Sequence, residues 1–315
     1  MNASGARRVF CLMGPTASRK TDIAVALCKR FPLEVISVDS ALVYRGMDIG
    51  TAKPDREILA RVPHRLIDIR DPEDAYSAGE FVRDAAAAID EIQALGKIPL
   101  LVGGTMMYFR ALTEGLVELP EADPGIRAAI DAEAARIGWP ALHARLATVD
   151  PDAAERIEPG DSQRIQRALE VWQVSGRALS DWRKEDAPAA VPGAGFVRLA
   201  MMLPSRQVLH QRIEQRLKIM IKQGFVDEVA SLAQRPGLAP DAPSMRAVGY
   251  RQFRRYIEGE ISFDEAAYRA LVATRQLAKR QVTWLRSEPG LECFDPLEVD
   301  VIDSISGFLI RFFDA

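Results

Sequence analysis

Clustered cysteines, long apolar runs and an excess of basic charge are all missing from this 315-residue chain. There are only three cysteines, Cys11, Cys28 and Cys293, and no CxxC pair. The three histidines, His64, His143 and His210, have no metal-ligand spacing with them. That argues against a disulfide framework and a structural zinc site, and it suits a reducing compartment. No apolar stretch approaches the roughly 20 residues a bilayer span requires. The opening MNASGARRVF lacks the apolar core and small-residue cleavage site of a secretory leader. A cytoplasmic, non-membrane protein is therefore expected. The net charge of −3 speaks against a general nucleic-acid binder, but not against local basic faces.

What is present has the balance of a globular protein, with 48% hydrophobic and 27% charged residues. The length exceeds what one small core needs, which suggests a large domain with an inserted lobe. RRVFCLM, EVISVD, RLIDI and KIPLLVGG read as short buried strands. Helical patterns lie between them at 20–31 and 78–95. Strands alternating with helices imply parallel βαβ units. From Pro120 to about Ser180 the pattern is helical throughout, and a Pro/Ala/Gly stretch then leads into the strand candidate FVRLAMML. The remainder is helical apart from a short strand candidate near Cys293. The expected fold class is α/β: a phosphate-loop parallel sheet flanked by helices, with an all-helical insert. The expected boundaries are 1–119 for the first part of the core, 120–190 for the insert and 191–315 for the second part.

Residues 14–21 read GPTASRKT, between a strand and a helix. A phosphate loop asks for Gly, four residues, Gly, Lys and Ser or Thr in that context. Gly14, Lys20 and Thr21 comply, whereas Arg19 stands where the second glycine belongs. Such a loop presents backbone N–H groups to a diphosphate or nucleotide. Gly14, Pro15, Thr16, Ala17, Ser18, Arg19, Lys20 and Thr21 are therefore the candidate phosphate-binding residues, with the Thr21 hydroxyl as a candidate Mg²⁺ ligand. A non-glycine at position 19 is expected to strain the loop or crowd its ligand.

Four further blocks follow in order: SVDSALVYRGMDIGTAKP at 37–54, PLLVGGTMMYFRAL at 99–112, DSQRIQRALEVWQVSGRALS at 161–180, and RAVGYRQ with TRQLAKRQVTWLR at 246–252 and 274–286. Together with the phosphate loop, these resemble the tRNA dimethylallyltransferases, or tRNA isopentenyltransferases, over nearly the whole chain. The resemblance implies transfer of a dimethylallyl group from its diphosphate to N6 of the adenosine beside the anticodon, with Mg²⁺. The phosphate loop would then grip dimethylallyl diphosphate rather than ATP. The partners so implied are tRNA, through its anticodon stem-loop, and dimethylallyl diphosphate, with the protein acting as a monomer.

The same resemblance gives Asp39 as general base, Thr105 as a catalytic hydroxyl and Lys20 as a stabiliser of the leaving diphosphate. A Mg²⁺ ligand or a helix cap is the alternative for Asp39 from the residues alone. Asp39, Ser40, Ala41 and Leu42 carry over as the wall facing the adenine, with Thr105 and Arg127 as further RNA contacts. Gln163, Arg164, Ile165, Gln166 and Arg167 match the family's RNA-contacting helix. Helical spacing places Ile165, Ala168, Leu169 and Trp172 on one face and Gln163, Arg164 and Arg167 on the other. In 275–286, Arg275, Lys279, Thr283 and Arg286 share one side, with Leu277, Ala278, Trp284 and Leu285 opposite. With Arg280 this stretch holds four basic residues and no acid, as a phosphate-tracking surface requires. Arg246, Tyr250 and Arg251 are expected beside it. Arg212 and Arg216 lie one turn apart on a later helix, where the family's arginines approach the diphosphate. The rival readings are a small-molecule kinase with the same loop, an RNA-binding protein impaired by Arg19, and a prenyltransferase acting on free adenine nucleotides.

Overall fold

The computed structural model describes residues 7–185 and 187–313. Six strands form one sheet: β1 (Arg7–Met13), β2 (Leu33–Val38), β3 (His64–Arg65), β4 (Ile98–Gly103), β5 (Ala194–Met201) and β6 (Glu292–Phe294). Their order is β3-β2-β4-β1-β5-β6, and every pairing is parallel. Of the expected third strand, RLIDI at 65–69, only Arg65 is in a strand, with His64 before it, because Leu66 and Asp68 adopt φ of 62° and 55°, which a strand cannot accommodate.

The central strands are apolar on both faces, as in a sheet covered on both sides. Val9, Cys11 and Met13 of β1 share a core with Ile36 and Val38, Leu101 and Ala200, under the helices Ala78–Ala94 and Met106–Glu114. Phe10 and Leu12 point the other way and join Val35, Leu100, Val102, Leu199 and Met201 against the helices Lys20–Cys28 and Val301–Ile310. The period of two along each strand thus feeds two separate cores.

The sheet and its helices make one compact unit, residues 1–113 and 190–315, and residues 114–189 make a second. The insert therefore begins six residues before the expected Pro120. It is all helix, with Pro124–Ile137, Trp139–Val149, Pro151–Arg156, Ser162–Ser175 and Leu179–Trp182 around a core that includes Ile130, Leu142, Leu146, Ile165 and Leu169. Asp123, Asp150 and Asp161 each cap the following helix by accepting from its first backbone N–H groups.

Candidate active site

Strand register assembles the site. Gly103 pairs with Val38 on one side and Met13 on the other, so the three strands end level. The segments that continue them, Gly14 onward, Asp39 onward and Gly104–Thr105, emerge side by side at the carboxyl edge of the sheet, where ligands of open α/β sheets bind. Close approach demands the glycines. A Cβ at Gly103 would lie 1.9 Å from the Val38 carbonyl oxygen, and one at Gly14 would lie 2.7 Å from the Ser18 hydroxyl.

The loop after β1 turns through two left-handed residues, Ala17 at φ 64° and Arg19 at φ 62°. Each costs about 1–2 kcal/mol relative to a relaxed backbone. Arg19 thus occupies the conformation for which glycine is usually chosen. Its guanidinium leaves the loop, however: Nη1 donates to the Pro296 carbonyl at 3.0 Å and Nε faces Asp22 at 3.7 Å. These contacts draw the side chain toward Pro296 and Asp22. Ser18 is buried and its hydroxyl donates to the Pro15 carbonyl at 2.8 Å. Lys20 Nζ donates to the same carbonyl at 2.7 Å. Thr21 follows on the first turn of the helix.

Burial, aided by the nearby Arg216 cation and opposed by Asp39, pulls the Lys20 ammonium down to about 7. Burial also lowers the pKa of Arg216, while Asp39 and Asp22 support its charge. Lys20, Arg216 and Asp39 therefore feel one another in a single site. Arg212, one turn earlier on the helix Arg206–Lys222, donates from Nε to the Ala17 carbonyl at 2.9 Å and so steadies the loop itself.

Asp39 stands at the end of β2. Its Oδ1 accepts from the Ala41 and Leu42 amides at 2.8 and 3.3 Å, which shapes the turn Asp39–Leu42. Thr105 closes the other side: its Oγ1 accepts from the Ser40 amide at 3.1 Å, and its own amide donates to the Val38 carbonyl at 3.3 Å. A carboxylate and a hydroxyl held by backbone bonds thus lie at the same sheet edge as the loop 14–21, and such a set suits displacement of an anionic leaving group by a weak nucleophile that must lose a proton.

The expected RNA-contacting residues divide. Lys279, Arg280 and Arg286 are exposed on the helix Phe263–Ser287. Lys279 and Arg280 line a shallow depression with Gln276, Thr283 and Trp284. Trp284, expected on the packing face, is on this open side, with the Arg110 guanidinium 5.8 Å from its ring centre. Arg275 is half-buried and bonded to Glu214 at 3.2 Å. Arg251 is exposed, and Arg246 is held by the Asp241 carbonyl at 2.7 Å. Tyr250 packs inside the fold: it is fully buried against Phe225, and its hydroxyl donates to Glu228 at 2.6 Å.

Within the helical unit, Gln163 and Arg164 are exposed, and Gln166 donates to Asp131 at 2.7 Å. Ile165 is fully buried, so its side chain belongs to the core and not to a contact surface. Arg127 is also committed elsewhere. It makes a two-pronged pair with the fully buried Glu170, at 2.8 and 3.1 Å, and Arg167 bonds the same carboxylate at 2.7 Å. Burial pushes the Glu170 carboxyl up, but these arginines and the Asp123 amide outweigh it and hold it below the usual carboxylate range.

Sequence reasoning overlooked Gln281, Arg212 as a loop contact, and Glu170. Residue type carried no signal for Gln281 or Glu170, since both sit inside helical stretches whose periodicity marks only apolar faces.

A family model described as IPP transferase matches residues 42–288. A tRNA dimethylallyltransferase of Alkalilimnicola ehrlichii is 58% identical over 287 residues, covering 91% of this chain and 90% of its own. One of Burkholderia cenocepacia is 55% identical over 307 residues, 94% of each chain. Among solved structures, the full-length tRNA isopentenylpyrophosphate transferase of Bacillus halodurans is similar with a TM-score of 0.72 and 35% identity, over 98% of this chain and 97% of that one. A eukaryotic dimethylallyltransferase captured acting on tRNA shares the fold, with a TM-score of 0.77 at 24% identity over 96% of this chain and 78% of its own.

Proposed function

The chain belongs to the IPP transferase family, the tRNA dimethylallyltransferases, and from that premise we propose that it moves a dimethylallyl group from dimethylallyl diphosphate to N6 of the adenosine beside the anticodon of tRNA. The observation that carries the reading is one sheet edge that holds both kinds of group. Lys20, Arg216 and Asp39 influence one another's charge there, and Thr105 bonds the Ser40 amide next to Asp39.

In this reading the allylic C–O bond breaks as the N6–C bond forms. The diphosphate leaves with the bonding electrons, stabilised by the loop amides, Lys20 and Arg216. N6 gives up its proton to the Asp39 carboxylate. Thr105 holds the Ser40 turn so that Asp39 faces the amine. The adenine has to leave the anticodon stack, at a cost of a few kcal/mol. Lys279, Arg280 and Arg286 provide phosphate contacts, and Gln163 and Arg164 provide others from the helical unit.

Mg²⁺ fits this chemistry. Among the described residues no group of three or more His, Cys, Asp or Glu could hold a metal ion. Mg²⁺ bound to a diphosphate needs only one or two protein oxygens beside phosphate oxygens and water, and the Thr21 hydroxyl on the first helical turn is such a ligand. Bound there, the ion would offset charge on the departing diphosphate. Among the described residues no helix is long and apolar enough to cross a membrane. A monomer working in the cytoplasm completes the proposal.

The test is incubation of the protein with dimethylallyl diphosphate, Mg²⁺ and unmodified tRNA, followed by mass spectrometry of the nucleosides. N6-dimethylallyladenosine next to the anticodon is expected. Transfer of label from γ-labelled ATP without prenylation would favour a kinase instead.

A further inference from the structure

We propose that Gln281 is a positioning residue that sets the distance between the two halves of the active site, an inference that rests on the prenyl-transfer reading. Gln281 lies on the buried face of the helix Phe263–Ser287, in line with Ala278 and Leu285. A buried amide side chain is costly unless its polar atoms are paired, and here the two ends bond different walls of the site. Oε1 accepts from the Thr16 amide of the phosphate loop at 2.9 Å. Nε2 donates to the Gly104 carbonyl at 2.8 Å.

The approach is as close as glycine permits. A Cβ on Gly104 would lie 2.5 Å from Gln281 Nε2 and 3.0 Å from the Gly14 carbonyl oxygen. Three segments distant in the chain therefore meet at one side chain. Two consequences follow from the pairing. The Thr16 N–H is committed to Gln281, so the diphosphate must draw its donors from later amides and from Lys20. And because Thr105 follows Gly104 directly and holds the Ser40 turn, the Gln281 bridge fixes how far Asp39 stands from the leaving group. A displacement of about 1 Å between reacting groups is enough to cost about 10²-fold in rate. The same helix presents Lys279 and Arg280 to solvent, so RNA seated on it is linked to the phosphate loop through one amide.

The full-length parent, Gln281→Met and Gln281→Glu are compared. Methionine keeps length and packing but removes both hydrogen bonds. The introduced carboxylate accepts from Thr16 but offers Gly104 no donor, whereas in its protonated form it restores the acceptor–donor pair, and burial beside a carbonyl raises its pKa. For Gln281→Met, kcat is expected to fall by about 10–10²-fold, with KM for dimethylallyl diphosphate changing by less and the thermal midpoint staying close to the parent's. For Gln281→Glu, activity relative to the parent is expected to climb as pH falls from about 8 to 6, while the ratio for Gln281→Met stays flat.

Calorimetric binding of inorganic diphosphate with Mg²⁺ supplies a second readout that needs no prenyl transfer, and a smaller pH-dependent recovery in the same direction is expected in it. If the parent fails to prenylate tRNA yet this recovery is seen, the functional reading has failed and the bridge stands. A flat pH ratio for Gln281→Glu, or parental kcat in Gln281→Met, overturns the proposal.

Discussion

At the residue scale, Asp39 holds a turn and is also the proposed base, and a test has to separate the two. Its Oδ1 caps the Ala41 and Leu42 amides, so an alanine would lose about 1 kcal/mol of turn geometry as well as a base. Asparagine keeps the acceptor and removes the base. Asp39→Asn is therefore expected to lower turnover by about 10²-fold or more with tRNA affinity within a few-fold. Unchanged turnover in a single-turnover assay removes Asp39 from the proton transfer. Lys20 gives a pH signature. In the free protein its ammonium is pulled down to about 7, so at pH 8 it is mostly neutral, and a bound diphosphate favours the charged form. Binding at pH 8 should then take up about one proton more in the parent than in Lys20→Arg, whose guanidinium is always charged. Equal binding enthalpies across buffers of different ionisation enthalpy for the two proteins would refute this. Arg19→Gly is expected to leave kcat within about two-fold, because relief of the left-handed backbone, about 1 kcal/mol, is set against the lost bond to Pro296. A rise of ten-fold would show that the arginine does obstruct the ligand.

At the scale of elements, the helical unit is tied together by one charge. Glu170 is fully buried and answers Arg127, Arg167 and the Asp123 amide. Removing it leaves the Asp123 amide and two part-exposed arginines without their partner, at a cost of about 1–3 kcal/mol, so Glu170→Ala should depress the melting of this unit more than removal of an exposed acid such as Glu155. Its folded pKa lies below the ordinary Glu range, so the contribution is complete above that range and is lost as pH falls through the folded value. Thermal melts from pH 7 to 3 would show it. The helix Phe263–Ser287 is the proposed salt-sensitive surface. Lys279 and Arg280 are the pair to neutralise, since Arg275 is already engaged with Glu214. The double change should reduce the log–log salt slope of tRNA binding by about one unit or more. Binding of inorganic diphosphate is expected to hold, and a loss there with intact RNA binding would reverse the assignment.

For the whole molecule, the boundary of the insert has a physical mark. Gly115 sits at φ 87°, and a Cβ there would lie 2.3 Å from the Pro188 carbonyl oxygen. The chain thus leaves for the helices and comes back at one place, as an insertion into a sheet core must. Replacing residues 114–189 with a short Gly/Ser bridge is expected to leave a cooperatively folding core that binds diphosphate within a few-fold and binds tRNA about ten-fold or more weaker. Loss of diphosphate binding in a folded core would show that the helical unit shapes the phosphate site.

Local pattern alone determined the parallel sheet, the helical insert and the phosphate loop. Short β-branched runs, helical periodicity and the strand–GPTASRKT–helix succession are all properties of neighbouring residues. The family blocks likewise marked Asp39 and Thr105, which follow Val38 and Gly103, the residues that strand register sets level with Met13. Tertiary structure decided whatever depends on partners far along the chain. Tyr250 is a core residue and Trp284 is an open one, because which face of a helix meets solvent is fixed by what packs on it. Arg127 is spent on Glu170 and Arg19 on Pro296, because an arginine's partner is chosen by proximity in space. Gln281 reaches a loop 265 positions away; a hydrogen bond of that span leaves no periodic trace in the residues on either side of it.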